Sequence, residues 1–165
     1  MAITYEPIAT TTLGSAATDV TFSSISGSYT DLVLIINAGM SGTGSSWYAY
    51  LNSDTGANYS TTGLYGNGST ASSSRLSNSG NGILIGSWSG YTTTIKTAIV
   101  QLMNYSNSTT YKTNISRYSK SDGTVEANVS LWRNTAAITT IQVRNNGGQD
   151  FTSGSTFTLY GIKAA

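Results

Sequence analysis

The residues best suited to chemistry form one short segment, Asn52-Ser53-Asp54-Thr55-Gly56-Ala57-Asn58. Asn52, Asp54 and Asn58 carry side-chain oxygens at spaced positions, and the glycine permits a sharp turn, which is how calcium-binding loops are built. The closing Glu of an EF-hand is missing, because Gly63 occupies that place. An ordinary hairpin loop uses the same residue types, so the sequence favours a loop and leaves metal binding by these three residues open.

Enzyme chemistry has few other candidates. The chain contains no His and no Cys, which excludes the usual general base, thiol nucleophiles and nearly all zinc and copper sites. Two of the carboxylates could serve a glycosidase, but most lie at predicted turns or strand ends. They are Glu6, Asp19, Asp31, Asp54, Asp122, Glu126 and Asp150. Gly86-Ser87-Trp88-Ser89-Gly90 has Trp88 where a hydrolase would have serine, and is interpreted as a turn. We therefore predict no catalytic residue, no cofactor and no enzyme activity.

Aromatic residues give the one positive binding signal. Tyr and Trp interleaved with Asn, Ser and Gly can stack on sugar rings and hydrogen-bond their hydroxyl groups. The same residues also fill sandwich cores, which is the interpretation we favour for Trp47 and Trp132. Trp88 and Tyr91 flank a predicted Ser-Gly turn, and there the two interpretations are balanced. Trp88, Tyr91 and Tyr65 are the predicted contacts with a glycan or a partner.

The charge balance limits the partners. Only 9% of the 165 residues are charged and the net charge is +1, whereas nucleic-acid binding relies on clustered Lys and Arg. No stretch approaches the roughly 18 apolar residues of a membrane span, and the N-terminus lacks the pattern of a signal peptide. We expect no nucleic-acid partner, no membrane partner and no Sec export.

Turn residues divide the chain into short segments with strand periodicity and almost no helical pattern. This spacing predicts an all-β fold, with residues 1–165 as a single antiparallel β-sandwich domain. The longest weakly patterned stretch, 66–81, is predicted to be a surface excursion with at most one short strand around Arg75 and Leu76. The predicted strands are Ile3–Thr10, Asp19–Ile25, Asp31–Ala38, Ser46–Leu51, Ser60–Tyr65, Gly82–Ser87, Thr92–Met103, Tyr111–Ser119, Val125–Arg133, Ile138–Asn145 and Thr156–Lys163.

The faces of three strands can also be predicted. Leu32–Ile36 is apolar on both faces, which predicts a central strand covered on both sides. Pro7 cannot donate a ladder hydrogen bond, so it belongs at an edge or a bulge. The alternation of apolar and polar residues over 125–131 predicts one buried face and one wet face.

A three-residue loop, Ser121-Asp122-Gly123, with Gly123 at positive φ, would set the register of one hairpin. Ile115 would then lie opposite Val129 on the core face, with Tyr118 opposite Glu126 and Lys112 opposite Trp132 outside. A two-residue loop would place the polar Asn114 opposite Leu131, facing the apolar row, so the longer loop is preferred.

Several segments, spread in order over nearly the whole chain, carry a resemblance to one protein family. The segments are Phe22–Ile25, Tyr29–Leu34, Leu51–Ser60, Leu64–Ser69, Leu131–Ile141 and Gly154–Lys163. They resemble small structural proteins from marine and cyanobacterial tailed phages. The resemblance implies a virion component with a jelly-roll-like β-sandwich, and it implies no catalytic residues.

Three functions are compatible with these features. The preferred one is a capsid decoration or cement protein that binds the phage major capsid protein or other virion proteins, located in the virion and assembled in the host cytoplasm. The alternative is a tail-associated or receptor-binding carbohydrate-binding module, and a glycan-cleaving enzyme comes third. Because few charges guard the edge strands, we also expect a homo-oligomer, with a trimer as the specific prediction.

Overall fold

A computed structural model describes residues 4–42, 45–89, 94–121 and 123–163. All regular secondary structure in these ranges is β-strand. Within the same ranges, no helix capable of crossing a membrane is found. The strands are β1 (Tyr5–Thr12), β2 (Asp19–Phe22), β3 (Asp31–Ala38), β4 (Ser45–Leu51), β5 (Tyr59–Gly66), β6 (Ala71–Ser79), β7 (Ile83–Ser89), β8 (Lys96–Met103), β9 (Lys112–Lys120), β10 (Val125–Trp132), β11 (Ile141–Asn145) and β12 (Thr156–Ile162).

Two antiparallel sheets form the fold. An eight-stranded sheet has the order β1-β12-β3-β8-β9-β10-β5-β6, and a four-stranded sheet has the order β2-β11-β4-β7. The predicted all-β antiparallel sandwich is therefore confirmed. Alternate residues of both sheets, such as Leu34, Val100 and Val143, form one buried cluster between them, as the two-residue period of a strand requires.

The hairpins β5-β6 and β9-β10 add four strands beyond β8 on one side of the larger sheet. We call these four strands the extension. The four-stranded sheet covers part of its inner face, because β7 contacts β9 and β10. Strand β6 is exposed at nearly every position, so it lies beyond this cover.

Most predicted strands are confirmed, and β3 has the predicted bounds. It is central, between β12 and β8, with Leu32, Leu34 and Ile36 fully buried and Val33 buried on the opposite face. Pro7 lies on the edge strand β1, where the register shifts between Pro7 and Ala9, as predicted.

Strand β6 corrects the prediction of a surface excursion over 66–81. Ala71–Ser79 pairs with β5 along its length. Its sequence lacks a two-residue apolar period because neither face is buried, so the signal that identifies other strands is missing. The turn before it is visible in the sequence: Asn67 Oδ1 accepts hydrogen bonds from the Ser69 and Thr70 N–H groups at 3.1 and 2.8 Å, beside Gly68 at φ +88°.

The interpretation of residues 86–90 as a turn is wrong over the described part, because β7 continues through Gly86 to Ser89. Gly86 serves a close approach instead. A Cβ atom there would lie 2.3 Å from Cγ of the buried Tyr118 ring. Glycine inside a strand often marks such a contact.

The register of the β9-β10 hairpin is confirmed. Gly123 has φ +111°, and the Lys120 N–H donates to the Thr124 carbonyl at 2.9 Å across the loop. Ile115 lies opposite Val129, Tyr118 opposite Glu126 and Lys112 opposite Trp132.

The predicted faces of this hairpin are wrong. Ile115 and Val129 are exposed, whereas the polar row that contains Lys112, Glu126 and Asn128 is buried. Strand β7 accounts for part of the inversion, because its backbone supplies partners for some side chains of this row, although the Asn114 amide has none among the described residues. Ser116 Oγ donates to the Ile85 carbonyl at 3.1 Å and Asn128 Nδ2 donates to the same carbonyl at 3.2 Å.

Two buried charged residues on the polar row have backbone partners as well. Glu126 Oε2 accepts from the Ser87 N–H at 2.8 Å. Lys112 Nζ donates to the carbonyls of Thr110 and Thr135 at 2.7 and 3.0 Å. Buried polar groups are tolerated when they are hydrogen-bonded, so the polar face lies inside and the apolar face of the same strands is left outside.

Candidate functional site

The outer surface of the extension carries a contiguous apolar patch. Leu64, Val125, Val129 and Ile115 are 62%, 60%, 56% and 42% exposed. They lie on the adjacent strands β5, β10 and β9, and register places them on one side: Ile115 pairs with Val129, and Leu64 pairs with Ala127. We call these four residues the extension face. Exposed apolar patches of this kind mark contact surfaces.

A shallow groove of about 660 Å³ crosses strands β8, β9, β10, β5 and β6 next to the extension face. It is close to the end of the β9-β10 hairpin, and its volume falls within the range of ligand-binding clefts. Its walls are mainly aliphatic. The lining residues used below are Leu64, Tyr65, Ile99, Arg117, Val125 and Ala127.

Among the described residues, Arg117 and Arg75 are the unpartnered cations on this side of the extension, whereas Arg133, just after β10, donates to Ser60 and Asn78. Arg117 lies in a cross-strand row with Ile99 on one side and Ala127 on the other. Arg75 lies on β6 opposite Thr62. Both are exposed, and neither has an ion-pair or hydrogen-bond partner among the described residues.

The structure describes the three aromatic residues predicted as contacts to different extents. Tyr65 lies on β5 opposite Glu126 and Ser72 and lines the groove, 39% exposed. Trp88 belongs to β7, but its side chain is outside the described part of the chain, as is Tyr91 altogether. Trp47 and Trp132 are buried, as predicted.

The residues of the extension face were missed as a site. Their sequence signal is the alternation of apolar and polar residues over 125–131, which predicts that the apolar residues face the core. Arg117 has no distinguishing signal, because an exposed arginine on a strand is ordinary. Its significance comes only from the apolar residues that register places around it.

Asn52, Asp54 and Asn58 lie in a loop, as the sequence favours, but it is not a hairpin loop, because it joins β4 of the smaller sheet to β5 of the larger sheet. Asp54 Oδ1 accepts from the Gly56 N–H at 2.8 Å, and Oδ2 accepts from Asn58 Nδ2 at 2.9 Å and from Trp132 Nε1 at 2.7 Å. Asn52 Oδ1 instead accepts from the Thr139 N–H at 2.8 Å. The oxygens of Asp54 and Asn52 thus accept hydrogen bonds from N–H donors of the protein itself. Within the described ranges, no three acidic, His or Cys residues cluster as metal ligands would.

Electrostatics provides no activated nucleophile among the groups with shifted pKa values. Burial raises the pKa of the Tyr48, Tyr50 and Tyr105 phenols, so each stays protonated at neutral pH. Burial also lowers the pKa of the Lys112 ammonium. Its two carbonyl partners give it a structural role at the end of β9.

No protein-family model matches this chain. A search of curated proteins finds no match either.

Proposed function

We propose that this protein is a phage virion structural protein without enzyme activity, a capsid decoration or cement protein that binds the shell surface. The observation that carries the proposal is the extension face, with four aliphatic side chains between 42% and 62% exposed on adjacent strands. Contact cores between proteins are depleted in charge. This surface therefore suits attachment of the folded domain itself to another protein.

The chemistry of the groove favours a protein partner over a sugar. Sugar binding uses flat aromatic rings together with polar groups that fix the hydroxyls. Aliphatic residues such as Leu64, Val125 and Ile99 line the groove, and strand alternation places the ring of Tyr65, its one exposed aromatic residue among those described, on the face of β5 opposite to Leu64. Tyr65 is also the observation that keeps a receptor-binding carbohydrate module as the second candidate.

We propose further that the sandwich is a jelly roll. Without the extension, the larger sheet has the order β1-β12-β3-β8 and the smaller one β2-β11-β4-β7. Successive strands alternate between the two sheets, from β1 to β2, β3 and β4, and again from β7 to β8. Eight strands in two sheets with such crossings are typical of jelly rolls, which occur in viral capsid proteins and in lectins.

Self-association is the next part of the proposal, and we assign it to the edge strand β6. This strand has nine residues, and Arg75 is its one charged residue. Prolines and lysines, which normally protect an edge strand from pairing with another chain, are absent from β6, and its register irregularity is confined to the end between Leu76 and Ser79. Pairing of β6 with itself about its centre would bring Arg75 opposite Arg75, which is unfavourable. A head-to-tail contact, which can close into a trimer, avoids this.

We expect the purified protein to be a trimer, and the double variant Ser74→Lys/Leu76→Lys to be monomeric, because lysines on an edge prevent strand pairing. Light scattering at high micromolar concentration measures both masses. The control is Ser108→Lys/Thr109→Lys, which places the same two charges in an exposed loop. A strictly monomeric wild-type protein would contradict self-association.

The docking prediction uses capsids that lack this protein. Wild-type protein should co-sediment with them, with little change between low and high salt, because the face carries few charges. Leu64→Glu/Val129→Glu should weaken binding at least about tenfold, since it introduces charge into an apolar contact. Tyr5→Glu, an exposed aromatic on the opposite edge strand, should bind like the wild type.

A glycan array distinguishes the second candidate. Wild type and Trp88→Ala are applied to host polysaccharides in parallel with the sedimentation assay. Failure of the wild type to bind capsids, together with glycan binding that Trp88→Ala abolishes, would replace the decoration proposal with the receptor-binding one.

A further inference from the structure

We propose that the groove beside the extension face receives a segment of a neighbouring virion protein in which an Asp or Glu is flanked by aliphatic residues, with the carboxylate on Arg117. This inference rests on the proposed function and specifies its partner. The groove has a volume of about 660 Å³, which suits a short chain segment better than a flat protein surface. It crosses the strands, so the segment lies across the sheet and does not extend it.

Arg117 gives the groove its charge preference, because Oε2 of Glu126, the carboxylate among the lining residues, accepts hydrogen bonds from the N–H and hydroxyl of Ser87 on β7. The residues directly opposite it are Ile99 and Ala127, and Leu64 follows Ala127 in the same row. Arg117 is exposed and has no hydrogen-bond or ion-pair partner among the described residues, so its guanidinium is available to a ligand. Its planar guanidinium matches a carboxylate with two parallel hydrogen bonds. Such a pair gains strength when the surrounding aliphatic walls exclude water.

A second copy of this chain is a poor occupant. Arg117 and Arg75 are both on this side of the extension, and among the described residues the nearest carboxylate at a strand position facing the same surface is Asp31. Through Met103 and Thr113, Asp31 is in register four residues from Arg117, about 13 Å along the strand. It already accepts a hydrogen bond from the Asn104 N–H at 2.7 Å. Two copies face to face would therefore bring arginines together with no carboxylate of the described ranges between them.

Nucleic acid and sugar also fit poorly. A phosphate backbone requires several clustered cations to release counterions, whereas this surface offers two arginines on separate strands. A sugar would leave the aliphatic side chains of Leu64 and Val125 without a stacking partner. An acidic, aliphatic peptide segment satisfies both Arg117 and the walls of the groove.

The experiment measures co-sedimentation with capsids that lack this protein, for wild type, Arg117→Glu, Arg117→Met and Arg75→Glu. We expect Arg117→Glu to weaken binding at least tenfold and Arg117→Met less, because methionine retains the apolar contact but loses the ion pair. Arg75→Glu, which makes the same charge change outside the groove lining, should stay within twofold. Urea unfolding verifies that each variant is folded.

Crosslinking identifies the occupant. Ala71→Cys, at the rim of the groove, is loaded with a photoactivatable crosslinker and bound to capsids, and the crosslinked peptide is sequenced by mass spectrometry. A peptide of another virion protein with Asp or Glu among aliphatic residues supports the inference, whereas a crosslink to a second copy of this chain overturns it. Wild-type binding that Arg117→Glu leaves unchanged overturns the groove inference alone. Absence of wild-type binding overturns the decoration function as well.

Discussion

Replacing Gly86 with alanine is expected to lower the free energy of unfolding by about 3 kcal/mol. The new Cβ would lie 2.3, 2.4 and 2.7 Å from Cγ, Cδ2 and Cδ1 of Tyr118. These atoms are the rigid inner part of the ring and cannot move aside independently. The ring is buried and packs edge-to-face on Trp47, with 5.4 Å between centroids. The clash must therefore separate β7 from β9.

Urea unfolding followed by tryptophan fluorescence measures this effect. Gly66→Ala is the matched control, because its Cβ would meet only the Thr70 carbonyl at 3.7 Å, and it should change stability by less than about 0.5 kcal/mol. In the Tyr118→Leu background, Gly86→Ala should lower the free energy of unfolding by less, since residues 86 and 118 are in contact. Equal costs of Gly86→Ala in the wild-type and Tyr118→Leu backgrounds would refute this packing argument.

The strands were predictable because turn residues separate them and because a two-residue period indicates burial on one side. Turn chemistry even predicted a register, since Gly123 at positive φ requires the three-residue loop. The period does not say which face is inside. In β9 and β10 that choice depends on Ser116 and Asn128 reaching carbonyls of β7, a strand at least 27 residues away in sequence.

Asn114 illustrates how a correct register can follow from an incorrect premise. The sequence favours the three-residue loop over the two-residue loop because the longer loop keeps Asn114 away from a row of apolar residues predicted to face the core. In the structure Asn114 is opposite Ser130 and Leu102 and is itself buried, with no partner for its amide atoms among the described residues. The rule that polar residues avoid the core can choose between two registers reliably only when the buried face of the strand is known.

The candidate site was predictable only in part. Tyr65 stood out as an aromatic among small polar residues, and it lines the groove. Leu64, Val129 and Arg117 did not stand out, because exposure on the extension depends on the limited reach of the four-stranded sheet. Strand β6 was missed for the same reason, since a strand without cover on either face has no apolar period.

Replacing Asp54 with alanine should have the second largest effect, a loss of about 2 kcal/mol at neutral pH. Its carboxylate receives hydrogen bonds from the Gly56 N–H, Asn58 Nδ2 and Trp132 Nε1. Trp132 is buried and stacks on Tyr59, with 6.3 Å between ring centroids. The substitution leaves its indole N–H buried without an acceptor, which is costly.

The same contact makes stability depend on pH. Burial alone would raise the pKa of the Asp54 carboxyl, but the hydrogen bonds from Trp132, Asn58 and Gly56 outweigh it, so the pKa lies below its ordinary value. A carboxyl whose pKa is depressed on folding stabilises the protein when ionised. This contribution is complete above the unfolded-state pKa of about 3.9 and is lost as the pH falls through the folded-state value.

We therefore expect the stability difference between wild type and Asp54→Ala to be largest at pH 7 and to shrink as the pH falls below about 4. Asp150→Ala is the control, because the Asp150 carboxylate has no hydrogen-bond partner among the described residues, and it should show no comparable gap at pH 7. Trp132→Phe keeps the stacking but removes the donor, so a double-mutant cycle with Asp54→Ala isolates this hydrogen bond. If the difference between wild type and Asp54→Ala is the same at pH 7 and pH 3, the ionised carboxylate is not the acceptor that stabilises Trp132.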